Sequence, residues 1–207
     1  MNVIVFGSNG GIGHHVVEQA LAAGHAVTAV ARRPASVTLQ HPNLTVRRGD
    51  VLDPASLAPL LAGQQAVVSA IGVHSRAPTV VYSDGIGNIL QAMQAAGVRR
   101  LLCVSATGID PGPWVQRVLA KPILWAVLRN MYTDLVCMEE RVRQSQADWT
   151  IVRPPQLTDG PRTGHYAASH NAHLPGAWRI SRADLADYIV HHLDDPATYR
   201  SWVEVAN

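Results

Sequence analysis

Four glycines lie within the first thirteen residues, at a spacing that suits the binding of phosphate groups. Gly7, Gly10 and Gly13 follow the pattern GxxGxxG, and Gly11 is an additional glycine. An apolar run at residues 3–6 precedes them, and apolar residues at helical spacing follow. In that context the glycines allow a tight turn and a close backbone approach to a pyrophosphate, while the helix N-terminus offers free N–H groups. The expected dinucleotide-binding residues of this turn are Gly7, Ser8, Asn9, Gly10, Gly11, Ile12 and Gly13.

The end of the second predicted strand indicates which dinucleotide is bound. An NAD-binding protein usually has an acidic residue about 20 residues beyond the glycines, where it binds the ribose hydroxyls. This chain has no acidic residue between Glu18 and Asp50, and Arg32 and Arg33 stand at the expected place. An arginine there pairs with a 2′-phosphate and stacks on adenine. We therefore expect NADP(H), with a solvated loop doublet as the alternative interpretation of the two arginines.

Two further segments come directly after predicted strands and are expected at the same crevice. Asp50 and Val51 follow the third strand, and Ala70, Ile71 and Gly72 follow the fourth. Ligands of open α/β sheets bind outside the carboxyl ends of the strands, so these five residues are expected to line the cofactor site. Asp50 either accepts a hydrogen bond from the adenine amino group or caps its own turn, and the sequence leaves both roles open.

Apolar runs alternate with amphipathic segments along the chain. Strands are expected at residues 3–6, 26–31, 44–47, 66–70, 100–105 and 150–152. Helices are expected at residues 11–23, 54–61 and 80–96. Continuous apolar strands separated by helices indicate a parallel sheet covered on both faces. We predict an α/β fold with a doubly wound parallel sheet, a Rossmann fold.

The rest of the chain is expected to extend this sheet and to form the substrate side. The prediction is a single domain over residues 1–207 with a small C-terminal extension. The main substrate-side elements are expected in 111–148, as two helices, and in 156–182. Small strands at 166–168, 178–180 and 202–205 and a helix at 182–193 complete the prediction.

Composition and short motifs argue against several classes of function. The chain is 47% hydrophobic and 15% charged, and its 17 basic residues form no stripe of the kind that binds nucleic acid. There is no apolar stretch long enough for a membrane span and no signal-peptide pattern, so a cytoplasmic location is expected. Cys103 and Cys137 form no CxxC pair and the histidines form no HExxH motif, so no metal is expected.

Six segments together resemble a known family. They are residues 7–13, 32–33, 49–53, 104–106, 149–155 and 180–186. Their order and spacing resemble those of atypical short-chain dehydrogenase/reductases. Within these, the chain is similar to the biliverdin-IXβ reductase/flavin reductase branch and its NmrA-like relatives. The resemblance implies an NADP(H)-binding Rossmann fold with the substrate near the C-terminal ends of the strands.

The resemblance also implies roles for particular residues. Ser105 matches the family's active-site serine, and Pro154, Pro155, Gln156 and Leu157 match the loop beside the nicotinamide. Members of this branch often carry histidine where this chain has Gln156, and the departure leaves the substrate open. Three roles remain for the Ser105 hydroxyl: a hydrogen bond to the acceptor, a hydrogen bond to the nicotinamide, or satisfaction of local backbone.

The tyrosine–lysine pair of typical short-chain dehydrogenases is missing from the sequence. In those enzymes the tyrosine transfers the proton, and a lysine four residues later lowers its pKa. Tyr132 is the natural catalytic candidate, but Val136 stands at the lysine position. The only lysine, Lys121, comes too early in the chain to complete the spacing. This pattern argues against alcohol–ketone chemistry.

The leading hypothesis is an NADPH-dependent reductase that transfers hydride to a flat conjugated acceptor, such as a flavin, a quinone or a tetrapyrrole-like molecule. Such acceptors delocalise the incoming charge and need little acid catalysis. The expected partner is therefore a small aromatic or conjugated molecule, and the protein is expected to be a monomer or homodimer. Two alternatives remain: a non-catalytic NADP(H)-sensing regulator of NmrA-like type, and a pathway-specific NADP-dependent biosynthetic reductase.

Overall fold

The apolar strands come together in one central, mostly parallel sheet. The structure, a computed structural model, describes residues 1–73, 77–109 and 121–207, and for 121–128 it describes the backbone alone. Within these ranges eight strands form the central sheet, in the order β3-β2-β1-β4-β5-β6-β10-β8. The strands are β1 (Asn2–Phe6), β2 (Ala26–Ala31), β3 (Leu44–Arg48), β4 (Ala66–Ser69), β5 (Arg100–Val104), β6 (Asp148–Arg153), β7 (Gln156–Thr158), β8 (Ala167–His170), β9 (Arg179–Ser181) and β10 (Ser201–Ala206).

Helices cover both faces of the sheet. They are α1 (Gly11–Ala22), α2 (Pro54–Leu57), α3 (Ser83–Ala96), α4 (Lys121–Gln144) and α5 (Arg182–His191). On one face α1 and α5 bury apolar side chains such as Val16 and Leu185 in a continuous core. On the other face α3 and α4 do the same through residues such as Ile86 and Met138. Burial of both faces explains why the strands read as apolar runs rather than as alternating patterns.

The order of the strands places a crevice beside β1. Strand β1 pairs in parallel with β2 on one side and with β4 on the other. The chain runs outward from β1 through β2 to β3 and then returns past β1 to β4. The connections that leave β1 and β4 therefore diverge, and a crevice opens at the carboxyl ends of these two strands. The prediction of a doubly wound parallel sheet is confirmed.

The C-terminal part departs from the prediction at one small strand. The strands expected at 166–168, 178–180 and 202–205 are present as β8, β9 and β10. Residues 156–158, expected as a loop, form β7, which pairs in parallel with β9 in a separate two-stranded sheet. The edge strand β8 runs antiparallel to β10. A strand of three residues such as β7 is too short to show a period of its own, and it depends on a partner distant in sequence. Of the two helices expected in 111–148, α4 is one, and residues 110–120 lie outside the described part of the chain.

Asp184 fastens the C-terminal segments to the start of α5. Its side chain is fully buried and accepts backbone hydrogen bonds from Thr163 at 2.7 Å and Gly164 at 2.9 Å, and a side-chain hydrogen bond from Asn207 at 2.9 Å. Burial alone would raise the pKa of this carboxyl, but the hydrogen bonds outweigh it and lower the pKa from 3.8 to about 2. The ionised carboxylate therefore stabilises the fold.

Acid should weaken this anchor in a defined pH range. Because the folded pKa lies below the unfolded one, the contribution is fully present above about pH 4 and is lost as the pH falls towards 2. We expect Asp184→Asn to lower the free energy of unfolding at pH 7 by about 2 kcal/mol and to flatten its dependence on pH between 4 and 2. Urea denaturation at a series of pH values measures both. Asp194→Asn, at an exposed carboxylate nearby, is the control; an unchanged pH slope in Asp184→Asn would contradict the assignment.

Candidate functional site

The glycine turn between β1 and α1 is built from backbone contacts that leave no room for side chains. Gly7 has a φ of +78°, and a Cβ there would lie 2.4 Å from the carbonyl oxygen of Ala70. A Cβ on Gly13 would lie 2.1 Å from the carbonyl oxygen of Gly7. Gly10, the N-cap residue, provides no side-chain cap, and the first turn of α1 carries no acidic residue. The first N–H groups of α1 therefore form a cradle that fits an anionic group such as a pyrophosphate.

The two polar side chains of the turn brace it against β2 and the loop after β2. The Ser8 hydroxyl is buried and donates to the carbonyl oxygen of Val30 at 2.8 Å. The Asn9 amide donates to the Ser36 hydroxyl, which in turn donates to the carbonyl oxygen of Arg33. The glycine turn is thus joined to the loop after β2 that carries Arg32 and Arg33. The Ser8 hydroxyl is already engaged in a hydrogen bond within the protein.

A cleft of about 1740 Å³ runs along the carboxyl ends of the strands. Gly13 does not line it, because this glycine is buried beneath the turn in contact with Gly7. Pockets for a single small ligand are typically about 300–1000 Å³, so this cleft has room for a dinucleotide and a second molecule. The predicted residues brought together around it are Gly7, Ser8, Asn9, Gly10, Gly11, Ile12, Arg32, Arg33, Asp50, Val51, Ala70, Ile71, Gly72, Ser105, Tyr132, Pro154, Pro155, Gln156 and Leu157.

One end of the cleft suits the adenosine portion of a dinucleotide. Arg32 and Arg33 are exposed there. Leu52, which the sequence analysis did not select, is 45% exposed on the same wall and offers an apolar surface to a flat ring. One oxygen of Asp50 accepts the N–H of Leu52 at 3.0 Å. The capping role left open for Asp50 is therefore present in the structure.

Ser105 stands on the wall of the cleft just past β5. Its N–H donates to the carbonyl oxygen of Val152 at 2.8 Å, and the N–H of Thr107 donates to that of Pro154 at 2.9 Å. These bonds join the loop after β5 to the end of β6. The side chain of Ser105 is 7% exposed, and its hydroxyl has no hydrogen-bond partner among the described residues. A buried hydroxyl without a partner costs about 1–3 kcal/mol, so a ligand that bonds to it gains by doing so.

Two tyrosines, Tyr82 and Tyr132, line the same cleft as Ser105. Tyr132 is 5% exposed, and its hydroxyl lies close to Gly108; burial raises its pKa. Tyr82, which the sequence analysis did not select, accepts the N–H of Val73 at 3.0 Å, and burial raises its pKa as well. Because burial raises the pKa of both phenols, both tyrosines are neutral at pH 7. The buried Asp134 carboxylate accepts the N–H groups of Tyr82 and Ser83 at 2.9 and 3.1 Å and so caps α3.

A loop from residue 171 to 178 closes one side of the cleft. Glu204, buried in β10, accepts the Leu174 N–H at 2.8 Å and contacts His173 Nδ1 at 3.0 Å. The loop ends at Trp178, which is 80% exposed and lines the cleft. The carbonyl oxygen of Trp178 accepts the Gln156 N–H at 3.3 Å. The sequence analysis expected residues 156–182 on the substrate side but did not select Glu204 or Trp178, because the contacts that hold this loop span about 30 residues of chain.

A buried ion pair supports the end of β6 beneath Pro154. Arg153, 1% exposed, donates from Nε and Nη2 to the fully buried Glu139 at 2.9 and 2.6 Å. Arg143 adds a third hydrogen bond to Glu139 at 2.6 Å, and the Arg153 guanidinium lies 4.3 Å from the centre of the Trp202 ring. Removal of one partner of such a pair leaves a buried charge, so this pair fixes the position of the strand end.

Two further observations concern the described residues as a whole. Within the ranges 1–73, 77–109 and 121–207 there is no group of three or more His, Cys, Asp or Glu side chains arranged to hold a metal ion. None of the helices in these ranges combines the length and the apolar character that a membrane crossing requires.

The chain is similar to several curated proteins over most of its length. An uncharacterized chloroplastic protein of Arabidopsis thaliana is 30% identical over 173 residues, which cover 79% of this chain and 61% of that protein. The chain spans about half to two thirds of the length of this protein and of two other curated relatives.

Two solved structures share the fold. ChuY, an anaerobillin reductase from Escherichia coli O157:H7, superposes with a TM-score of 0.80 at 24% identity, over 100% of this chain and 97% of ChuY. A short-chain dehydrogenase/reductase of Veillonella parvula in complex with NADP gives a TM-score of 0.81 at 18% identity, over 100% of this chain and 94% of the other.

A family model shows the family to which the chain belongs. The model for NAD(P)H-binding proteins matches residues 7–196, which include the glycine turn, the loop after β5 that carries Ser105, and α5. The side-chain-free cradle at the start of α1 is the feature that such a cofactor requires. The chain belongs to the NAD(P)H-binding family.

Proposed function

We propose that the protein is an NADPH-dependent reductase of a flat, conjugated acceptor. The observation that carries the proposal is the Ser105 hydroxyl, which is buried on the cleft wall without a hydrogen-bond partner among the described residues. Protein folds rarely leave such a group unsatisfied, and of the described residues with a buried side-chain atom lacking a partner, Ser105 is the one that lines the cleft. Ser105 is therefore assigned to donate a hydrogen bond to a carbonyl or ring nitrogen of the acceptor.

In this proposal the two halves of the cleft have different tasks. The glycine turn, Arg32 and Arg33 hold the phosphate-bearing half of the dinucleotide, while residues 154–157 border its nicotinamide. The bound NADPH supplies a hydride, and the acceptor takes up that hydride together with one proton from solvent. The protein orients the two reactants and brings them together, which is itself a large part of catalysis.

Tyr132 does not provide the acid–base chemistry of typical short-chain dehydrogenases in this proposal. That chemistry needs a nearby cation to lower the tyrosine pKa, whereas burial raises the pKa of Tyr132. Lys121 begins the same helix eleven residues earlier, about 16 Å away along the helix axis. Val136, four residues after Tyr132, is 40% exposed and carries no charge. Acceptors that delocalise the incoming charge are therefore favoured over simple ketones.

Trp178 is assigned as a stacking surface for the acceptor. It lines the cleft beside Gln156 and leaves 80% of its surface in water. A flat ring that stacks on the indole removes apolar area from water.

The cofactor preference is tested by the arginine doublet. If Arg32 and Arg33 bind the 2′-phosphate, changing both to Gln should raise the Kd for NADPH at least 10-fold and leave the Kd for NADH almost unchanged, because NADH lacks that phosphate. Titration of the cofactor fluorescence measures both constants. The matched control is the doublet Arg47 and Arg48, exposed but outside the cleft lining. Equal losses for the two cofactors would contradict the assignment.

The activity is tested by NADPH consumption with a panel of free flavins, quinones and linear tetrapyrroles. We expect turnover with at least one of them. Ser105→Ala should then lower kcat/KM about 10-fold, the cost of one lost hydrogen bond, with less than a twofold change in the NADPH Kd.

Ser201→Ala is the matched control for Ser105→Ala. Ser201 is also buried, but its hydroxyl donates to the carbonyl oxygen of Thr198 at 2.6 Å and lies outside the cleft lining, so kcat/KM should stay unchanged. Binding of NADPH without turnover of any panel member would overturn the reductase proposal and favour a sensor. A weaker NADPH Kd in Ser105→Ala would reassign the serine to the nicotinamide.

The stacking role of Trp178 predicts a selective effect on the acceptor. Trp178→Ala should raise the KM for a flat acceptor about 5- to 10-fold without changing the NADPH Kd, and Trp178→Phe should restore most of the loss. Steady-state kinetics at saturating NADPH measure the change. Val136→Ala, at an exposed apolar residue outside the cleft lining, serves as the control. An acceptor KM that does not respond to Trp178→Ala would remove the indole from the site.

A further inference from the structure

An ion pair between Arg182 and Asp159 lies at the edge of the cleft, next to the glycine turn. Arg182 is the first residue of α5, and Asp159 follows β7. Thr158 and Ser181 lie opposite each other in the two-stranded sheet of β7 and β9. The ion pair joins the residues that follow them, Asp159 and Arg182. Arg182 Nη1 donates to Asp159 Oδ1. The pair is asymmetric, because the arginine side chain is 27% exposed and the aspartate side chain 92% exposed.

The Arg182 side chain lies directly across the start of α1. A Cβ on Gly11 would come within 2.6 Å of Arg182 Cδ and 2.8 Å of Nε. A side chain at position 11 would therefore have to displace the arginine. Gly11 is the fourth glycine of the turn, which the GxxGxxG pattern does not require. Arg182 also lines the cleft, whereas Asp159 does not.

The position of Arg182 fits a phosphate ligand better than it fits its present partner. The N–H groups of the first turn of α1 favour an anion, and that turn has no acidic side chain to supply one. A guanidinium offers five donors in a planar fork that matches phosphate oxygens, and within the described residues Arg182 bonds to Asp159 alone. An ion pair with so exposed a carboxylate contributes little to stability and is easily exchanged.

We propose that Arg182 is a ligand of the dinucleotide pyrophosphate and that Asp159 competes for it when the cofactor is absent. The phosphate replaces the Asp159 carboxylate on the guanidinium, and Asp159 is released to solvent. Binding of the cofactor thereby loosens the connection between α5 and the segment after β7. The proposal rests on membership of the NAD(P)H-binding family and is independent of which acceptor is reduced.

The experiment measures cofactor binding rather than turnover. Fluorescence titrations with NADPH and with NADH give the Kd for the wild type, Arg182→Gln and Asp159→Asn. We expect Arg182→Gln to weaken both cofactors by the same factor, about 10-fold, because both carry the pyrophosphate. We expect Asp159→Asn to tighten both about two- to threefold, because a competing carboxylate is removed. Substitution of Arg32 and Arg33 weakens NADPH selectively and so separates the two kinds of arginine.

Opposite signs for the two variants distinguish a ligand from a structural clasp. A clasp predicts that Arg182→Gln and Asp159→Asn both weaken binding and both lower the unfolding temperature, and this result would overturn the proposal. So would an unchanged Kd in Arg182→Gln, or a loss confined to NADPH. If Arg182→Gln fails to fold, Arg182→Lys keeps the charge without the planar fork. If Arg182→Lys weakens both cofactors by a factor between one and ten, the result supports the proposal. If Arg182→Lys has the Kd of the wild type for both cofactors, the proposal is overturned.

Discussion

The contact between Gly7 and Ala70 is the constraint on which the rest of the site depends. With a φ of +78° and 2.4 Å between a Cβ at Gly7 and the Ala70 carbonyl oxygen, only glycine allows β1 to end against β4 in this way. Gly13 repeats the condition on the other side of the turn, at 2.1 Å from the Gly7 carbonyl oxygen. The start of α1 is therefore pressed against the sheet at the point where the connections diverge, and its free N–H groups border the crevice.

Buried carboxylates help to hold the 171–178 loop on the wall of the cleft and the 163–164 segment outside it. Glu204 binds the loop that ends at Trp178, and Asp184 ties residues 163–164 and the C-terminal Asn207 to α5. Both carboxylates satisfy backbone N–H groups that would otherwise be left without partners when their loops pack against the sheet. Loops held by a few hydrogen bonds open more easily than a sheet, so movement during binding is expected on this wall rather than at the glycine turn.

Sequence reasoning found those parts of the fold whose signals are local. Buried strands are visible as apolar runs, and the glycine turn is visible because Gly7 and Gly13 each make a backbone contact that only glycine allows. The short strand β7 gave no such signal, since it has three residues and forms only by pairing with β9, which the sequence analysis placed one residue early, at 178–180. Arg182 was missed for the same reason, because its relation to Gly11 joins residues at opposite ends of the chain and appears only when α5 packs on α1. Ser105 was found by resemblance, and the sequence left three roles for its hydroxyl. Because the buried hydroxyl has no partner among the described residues, it does not satisfy local backbone, and a hydrogen bond to the acceptor or to the nicotinamide remains.

The distribution of charge along the cleft relates the cofactor to the kind of acceptor. Among the described residues that line the cleft, the guanidinium groups belong to Arg32, Arg33 and Arg182, all beside the turn or the loop after β2. The rest of that lining holds no lysine or arginine. It offers the hydroxyls of Ser105 and Tyr132, and its Glu204 carboxylate is already bonded to the Leu174 N–H. Burial makes the Tyr132 phenol a weaker acid than usual. A ketone that takes up hydride becomes an alkoxide, whose localised charge needs a cation or a strong proton donor in a site of low polarity. A conjugated acceptor spreads the same charge over its rings until water supplies the proton, so the arginines of the cleft serve to bind the cofactor and the acceptor needs no lysine or arginine beside it.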